Sequence, residues 1–402
     1  MQDRRLVTAR RATSVLFLLN AVAYANVVPR LPAIKADLAL SNTALGAAVA
    51  AVPIGALLSG PSAGWLVARF GSGRLATGCA VAFGLVLPGF ALAPSWGTLA
   101  LIFLVYGAFD SVMDVSMNAH ALWVQRGWGR SIINRLHGLW SIGAVLGGLA
   151  GALAAGVDLA LEIHLLLAGA AIIVAGLAAS RWLLPGHDPG EPQPQTDGND
   201  GSPRASRRHV VGRLAVLGLI VVMSAVIEDA PQSWGAVLLR TELGTSAAAA
   251  GLVYLAFQTM MTVSRLLGDH VVDRVGEVAV VRAGGVLAAV AVGVGLLIGT
   301  PASIVVAFAF AGLGTAPLFP LVFHAAGEMH GVPTGHGVAA VAWMGRIGFL
   351  IAPPLVGAIG DATNLRLGLA FVPIAGVVVA LLAGALSPDP GVVVGAPALR
   401  EG

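Results

Sequence analysis

The chain has little of what most function classes require. Its only cysteine, Cys79, lies in an apolar run, so there is no disulfide framework and no thiolate metal cluster. Lys35 is its only lysine, beside 22 arginines. No G-x-x-x-x-G-K-[ST] loop can therefore be assembled, which excludes ATP-driven chemistry within this chain. An H-E-x-x-H metal pair is also missing, so neither a metal site nor a cofactor is expected. Charge of either sign is scarce: 11% of the 402 residues are charged, 57% are hydrophobic and the mean hydropathy is +0.86. A soluble core of ordinary proportions cannot hide so much apolar surface. The solvent must be lipid. The net charge of +3 does not point to nucleic acid, because the basic residues stand in ones and twos between apolar blocks. Arginine almost without lysine, beside abundant Ala, Gly and Val, fits a GC-rich bacterial genome and hence a bacterial cytoplasmic membrane.

What the chain does have is long hydrophobic runs. Stretches of about 20 residues, enough to cross the hydrocarbon core, fall near 13–34, 43–68, 75–93, 96–124, 132–156 and 160–184. Six more fall near 213–239, 247–271, 278–299, 302–327, 335–359 and 366–386, and these twelve are numbered as spans 1 to 12. Residues 185–212, rich in Pro, Gly and charge, read as a cytoplasmic linker between bundles at 1–184 and 213–402. With the N-terminus inside, seventeen basic residues fall on cytoplasmic segments; only Arg30, Lys35, Arg240 and Arg366 fall on the other side. The positive-inside rule thus puts both termini in the cytoplasm. A cleavable signal ending in "AYA" (23–25) is the alternative for the start. The six-plus-six count needs that first span.

The two halves repeat. "GWLVARFGSGR" at 64–74 aligns with "DHVVDRVGEVA" at 269–279 at an offset of 205, pairing Arg69 with Arg274 and Gly71 with Gly276. The same offset lays "IGAVLGG" from 142 onto "IGFLIAP" from 347. A six-helix unit has been duplicated. The expected fold is an all-α membrane protein of two pseudo-symmetric six-helix bundles. At the cytoplasmic helix ends, Arg69, Asp269, Asp273 and Arg274 are candidate gating residues, since an acid–arginine pair there can hold the halves together in one state and release them in another. The same arginines also serve as topogenic charges.

Ionisable side chains inside spans are costly and mark function. In span 4, Asp110, Asp114 and Asn118 follow i, i+4, i+8 spacing and form one polar stripe. Their counterparts in span 10 are Thr315, Phe319 and Phe323, so the scaffold does not need the acids for packing. In span 7, Glu228 and Asp229 lie near mid-bilayer before Pro231; adjacent residues diverge by about 100°, which favours Glu228 for the cavity. Asp114, Glu228 and Asp110 are therefore the candidate proton-coupling residues. Arg346 in span 11 needs an anion, with Glu228 or Asp229 of its own half as the expected partner. Asn20, Tyr24, Asn26, Asn118, Gln258 and Trp234, with Arg346, are candidate substrate contacts. Each of these, taken singly, also suits a helix contact or interface anchor. His137 and His324 lie near cytoplasmic helix ends, where water satisfies an imidazole.

Twelve spans, a central linker and a repeated G-x-x-x-D-R-x-G-type loop resemble the major facilitator superfamily across nearly the whole chain. Two positions depart from the motif: Ala68 replaces the first loop's Asp, and Asp269 replaces the second loop's first Gly. "MDVSMNAHAL", "SIINRLHGLWSIGAVLGG" and "EDAPQSWGAVLL" are similar to spans 4, 5 and 7 of bacterial permeases near the fucose and glucose permease branch. That resemblance implies proton-coupled symport of a small sugar-like solute, with Asp114, Asn118 and Glu228 carried over. An acid usual at Ser233 and an Asn usual at Pro317 are missing. A proton-driven drug or metabolite exporter is the alternative; exporters carry G-x-x-x-G-P-x-x-G-G in span 5, where this chain keeps Gly143 and Gly147 but has Gly148 in place of Pro. Either reading implies spans 1, 4, 7 and 10 around a central cavity, the proton motive force instead of a cofactor, a small-molecule substrate, the bilayer as partner and a monomer.

Overall fold

The structure is a computed structural model that describes residues 4–129, 132–187, 207–329 and 334–387. Within these, the side chains of Asn134, Arg207, Arg208, His209, Asp269, Thr334 and His336 lie outside the description. Lipid offers backbone groups no hydrogen-bond partner, so a spanning segment must satisfy its own amides as a helix. Twelve helices have the length and hydropathy to cross. Spans 1 to 6 are Arg4–Asp37, Asn42–Phe70, Ser72–Leu92, Trp96–Trp128, Arg135–Gly156 and Leu161–Ser180. Spans 7 to 12 are Val210–Gly235, Ala247–Gly268, Glu277–Ile298, Pro301–Gly327, Gly337–Ala362 and Leu365–Leu386. Of the linker expected over 185–212, residues 188–206 lie outside the described residues, and the helix of span 7 already begins at Arg207.

The helices form two six-helix bundles. In the first, span 1 packs on spans 5 and 6, span 2 on span 4, and span 3 on spans 4 and 6; the second repeats this with span 7 on 11 and 12, span 8 on 10, and span 9 on 10 and 12. Equivalent positions carry equivalent devices. The Ser95 side chain caps span 4 by accepting from Thr98 N–H, and 205 residues on the Thr300 side chain caps span 10 by accepting from Ser303 N–H. The Ser59 hydroxyl donates to the Ala108 carbonyl (2.9 Å), and its counterpart Ser264 donates to that of Leu313 (2.8 Å). Gly71 and Gly276, paired by the sequence repeat, end the helix of span 2 and the helix Ala247–Val275 that carries span 8, at φ of 84° and 81°, a region closed to most side chains. Each donates its N–H four residues back at 2.8 Å. These two glycines are needed for the turn, whatever the neighbouring charges do.

Two seams join the bundles: span 2 against span 11, and span 5 against span 8. At the outer end of the first, the Asp361 carboxylate accepts the N–H of Asn42 (2.8 Å), the N–H of Thr43 (2.7 Å) and the Thr43 hydroxyl (2.6 Å). It satisfies the open amides at the start of span 2 from the other half of the molecule. The matching place on the second seam, Gly156 against Ala248, is a contact of two small residues. Prolines interrupt several spans without ending them. Span 7 widens into π-helical turns at Pro231–Gly235 and Leu238–Glu242, instead of breaking at Pro231.

Candidate functional site

Between the bundles, at the depth of the span 4 acids, lies a cavity of about 340 Å³. Its walls come from spans 1, 2, 4, 5, 7, 8 and 11. A second space of about 680 Å³ shares Asn20, Asp110, Asp114 and Trp140 with it and extends past His137 and Arg265 toward the cytoplasmic helix ends. Span 10 enters only here, through Phe319, Pro320 and Phe323, so its expected place in the central wall is corrected. The Asp361 contact ties the outer ends of spans 2 and 11, and the larger of the two spaces runs from the central acids toward the cytoplasmic helix ends.

Both acids of span 4 and both of span 7 line the central cavity. Asp110 is held by a relay across three helices: Trp140 Nε1–H donates to Asn20 Oδ1 (2.7 Å), and Asn20 Nδ2–H donates to Asp110 Oδ1 (3.0 Å). One N–H and one lone pair of the amide are used inside the protein, so Asn20 orients an acid while still lining both spaces. Asp114 is more exposed, and its carboxylate accepts from Asn118 Nδ2 at 3.0 Å. The same nitrogen also donates to the Asp114 carbonyl (2.9 Å). This corrects the expectation for Asn118, which lines neither space and steadies Asp114.

Glu228 and Asp229 both reach the cavity, although only one was expected to. The Ser233 hydroxyl, standing where an acid was anticipated, donates to Asp229 Oδ1 (2.8 Å). Asp229 Oδ2, Ser111 Oγ and Gln258 Nε2 all belong to cavity-lining residues, are buried, and have no hydrogen-bond partner among the described residues. Buried polar groups are ordinarily satisfied. Unfilled donors and acceptors on three different helices mark where a polar ligand would bond.

Arg346 also lines the cavity, but its expected pairing is corrected. Its Nη1–H donates to the Ala56 carbonyl of span 2 (3.2 Å), across the seam, so its fixed contact lies with the other half and not with Glu228 or Asp229. By the offset of 205 its counterpart is Ser141, which accepts at 3.1 Å from Nη1–H of Arg265, again across a seam. Gly60, the counterpart of Arg265, lies beside Arg346. The second half thus supplies both arginines and the first half supplies neither.

Two further expectations are corrected. Asn26 is buried away from the cavity; its Nδ2–H donates to the Val22 carbonyl (2.8 Å) and its Oδ1 pairs with His164 Nε2 (3.1 Å), tying span 1 to span 6. Trp234 is fully buried within the π-helical turn and lines no described cavity. The wider turn shifts the helical register and carries it off the cavity face. Tyr24 and Gln258 do line the cavity.

Sequence reasoning missed Tyr106 and Tyr254. The chain has three tyrosines, and all three line this one cavity. Tyr106 stacks on Phe83 (centroids 4.8 Å) and meets Tyr24 (5.5 Å), which fixes both rings. Tyr254 fits because Gly148 has no side chain: a Cβ there would lie 2.6 Å from two ring carbons. The compositional rarity of tyrosine was the available signal.

The cytoplasmic loop residues Arg69, Asp273 and Arg274 are exposed, and among the described residues none has an ion-pair partner within 4 Å. The side chain of Asp269 lies outside the described residues. His324 pairs with Glu277 at 2.9 Å. A G-x-S-x-G pentapeptide, "GPSAG" at 60–64, lies inside helical span 2 and not at a strand-to-helix elbow, and its Ser62 hydroxyl donates to the Ser59 carbonyl (2.7 Å). Among the described residues no cluster of His, Cys, Asp and Glu could hold a metal.

The chain matches the family described as Major Facilitator Superfamily over residues 13–237 and again over 217–402. It is similar to the uncharacterized transporter y4wD of Sinorhizobium fredii, 29% identical over 389 residues covering 95% of this chain and 99% of that one. It is also similar to the membrane protein MosC of Rhizobium meliloti, 29% identical over 371 residues, 92% of this chain and 88% of that one. Among solved structures, the nucleoside transporter NupG superposes with a TM-score of 0.71 at 13% identity, over 96% of this chain and 99% of that one. A bacterial homolog of the human lysosomal transporter Spinster, inward-facing and occupied, gives 0.73 at 13% identity, over 96% and 97%. Identities this low carry the fold alone.

Proposed function

The chain belongs to the Major Facilitator Superfamily, is a multi-pass membrane transporter and not an enzyme, and from that membership we propose that it is a proton-coupled symporter of a small sugar-like solute. The observation that carries this reading is one cavity in which four acids face three tyrosines and unfilled donors and acceptors from both halves. Hydroxyl-bearing solutes bond through such groups and lie on aromatic faces. Asp114 or Glu228 takes the coupling proton. Protonation neutralises the walls and lowers the cost of closing them away from water. The halves then rock about the seams, the Asp361 contact releases, and the cytoplasmic loops carrying Arg69, Asp269, Asp273 and Arg274 come together. Kinship with the fucose and glucose permease branch, a bacterial inner-membrane location and a monomeric state belong to the same proposal. NupG, a nucleoside transporter by name, has this fold; a nucleoside also presents hydroxyls and a ring face.

One observation favours a second reading. Among the charged residues of the central cavity, acids outnumber arginines four to one, and an acidic aromatic cavity suits an organic cation moved by an exporter. Uptake into proteoliposomes with an imposed pH gradient, screened over hexoses, deoxy sugars, nucleosides, amino acids and cationic dyes, separates the two. Sugar or nucleoside accumulation driven by an acidic exterior supports symport. Dye movement in exchange for protons, with no sugar signal, favours export.

A further inference from the structure

Away from the central cavity, the first half holds a second polar space of about 590 Å³ at the cytoplasmic ends of spans 1, 3 and 6. Three arginines from three segments line it: Arg5 of span 1, Arg74 of span 3 and Arg181 just after span 6. Thr8, Thr77 and Ser180 add hydroxyls, and no acid is among the described lining residues. The exposed indole of Trp182 stands beside Arg181, at the depth where tryptophan marks a membrane interface. The space is built, not incidental. His120, fully buried, bonds the Ser72 hydroxyl through Nδ1 (3.0 Å) and accepts the Leu184 N–H through Nε2 (3.3 Å), fixing the start of span 3 to the segment after span 6.

At the offset of 205 its three arginines correspond to Val210, Ala279 and Leu386, while the lining Thr8 and Thr77 correspond to Arg213 and Arg282, so both halves carry cytoplasmic arginines here but at different positions, and the first half gathers three of them around hydroxyl donors. Three cations around a pocket with hydroxyl donors, at the level of the inner-leaflet headgroups, are suited to a phosphate group whose acyl chains run down the outside of spans 3 and 6.

We propose that this pocket binds the headgroup of an anionic phospholipid of the cytoplasmic leaflet. The proposal is independent of which solute the central cavity carries. Arg74 and Arg181 grip the phosphate, Trp182 sits at the glycerol level, and His120 keeps the floor in place.

The test is native mass spectrometry of the full-length protein released from nanodiscs containing phosphatidylglycerol and phosphatidylcholine. The wild-type chain is expected to retain phosphatidylglycerol selectively. An Arg74→Gln, Arg181→Gln variant is expected to lose that retention by roughly thirty-fold, about fivefold per arginine. Arg282→Gln removes one charge from the same face outside the pocket and is expected to leave retention unchanged. An Arg74→Lys, Arg181→Lys variant with an unchanged melting temperature guards against misfolding and is expected to keep most of the binding. Equal retention of both lipids, or retention unaffected in the Gln pair, overturns the proposal. So does displacement of the lipid by millimolar inorganic phosphate, which would make this a soluble-anion site.

Discussion

The two seams between the bundles occupy equivalent places in a duplicated scaffold, yet they are fastened by different chemistry. Where span 11 meets span 2, the Asp361 carboxylate takes three hydrogen bonds at the outer end, and Arg346 donates to a main-chain carbonyl at cavity depth. Where span 8 meets span 5, the outer end is Gly156 on Ala248, and the arginine, now on span 8, donates to a serine hydroxyl nearer the cytoplasm. Span 4 against span 10 repeats the lesson: two aspartates and an asparagine on one side, Thr315, Phe319 and Phe323 on the other. Packing devices such as the Ser59 and Ser264 bonds and the helix caps were kept in both copies, as was the loop arginine at Arg69 and Arg274, while the charged groups within the spans were not. What the copies share holds the fold. What they do not share surrounds the solute path.

This contrast can be broken in order of consequence. Asp361→Ala leaves two helix-start amides and a hydroxyl without their partner at one seam only, a loss of about 1–3 kcal/mol. That shifts the balance between closed and open outer ends by roughly five- to 150-fold. Spin labels on the outer ends of spans 2 and 11 should show a longer distance gaining population in double electron–electron resonance; an unchanged distribution would mean the contact is not a latch. Asn20→Ala frees Asp110 and Trp140 together, and initial transport rates should fall by about tenfold with little change in melting temperature. A rise in substrate KM alone, at constant maximal rate, would instead make Asn20 a solute contact.

Smaller effects sharpen the shared side of the comparison. Ser59→Ala and Ser264→Ala each delete one interhelical bond and should each cost about 0.6 kcal/mol, the mean for such bonds inside a membrane bundle. Thermal melting in detergent should show the two alike. A large difference between them would say that the repeat is not carrying equal load. Arg274→Gln, at an exposed position without an ion-pair partner among the described residues, should leave the melting temperature unchanged while slowing transport through the opposite state.

Much of this was legible in the chain itself. Twelve spans, their orientation and the duplication follow from hydropathy, the arginine count and the 205-residue offset, because lipid imposes one solution on the backbone. Asp110, Asp114 and Glu228 stood out because an ionisable group in an apolar helix has few other reasons to be there. The misses have physical causes. Asn26 lies six residues after Asn20, about 240° around the helix, so its face was readable from period alone; Tyr24, four residues on, returns to the cavity side. Trp234 escaped because a π-helical turn resets the register. Arg346 and Asp361 bond to main-chain groups 290 and 318 residues away, which no local pattern encodes. Tyrosine in an apolar run reads as an interface anchor, and only the cavity explains why all three gather there.

The central claim is that the acids between the halves couple solute movement to protons. Its most direct test is accumulation of the solute that the uptake screen identifies, in proteoliposomes under an inward proton gradient, for the wild-type chain and for Asp114→Asn and Glu228→Gln, with solute exchange at equal pH as the companion trace. The account predicts that at least one substitution abolishes gradient-driven accumulation while exchange continues, since the cavity still binds and the halves still rock. Undiminished accumulation in both variants would contradict it.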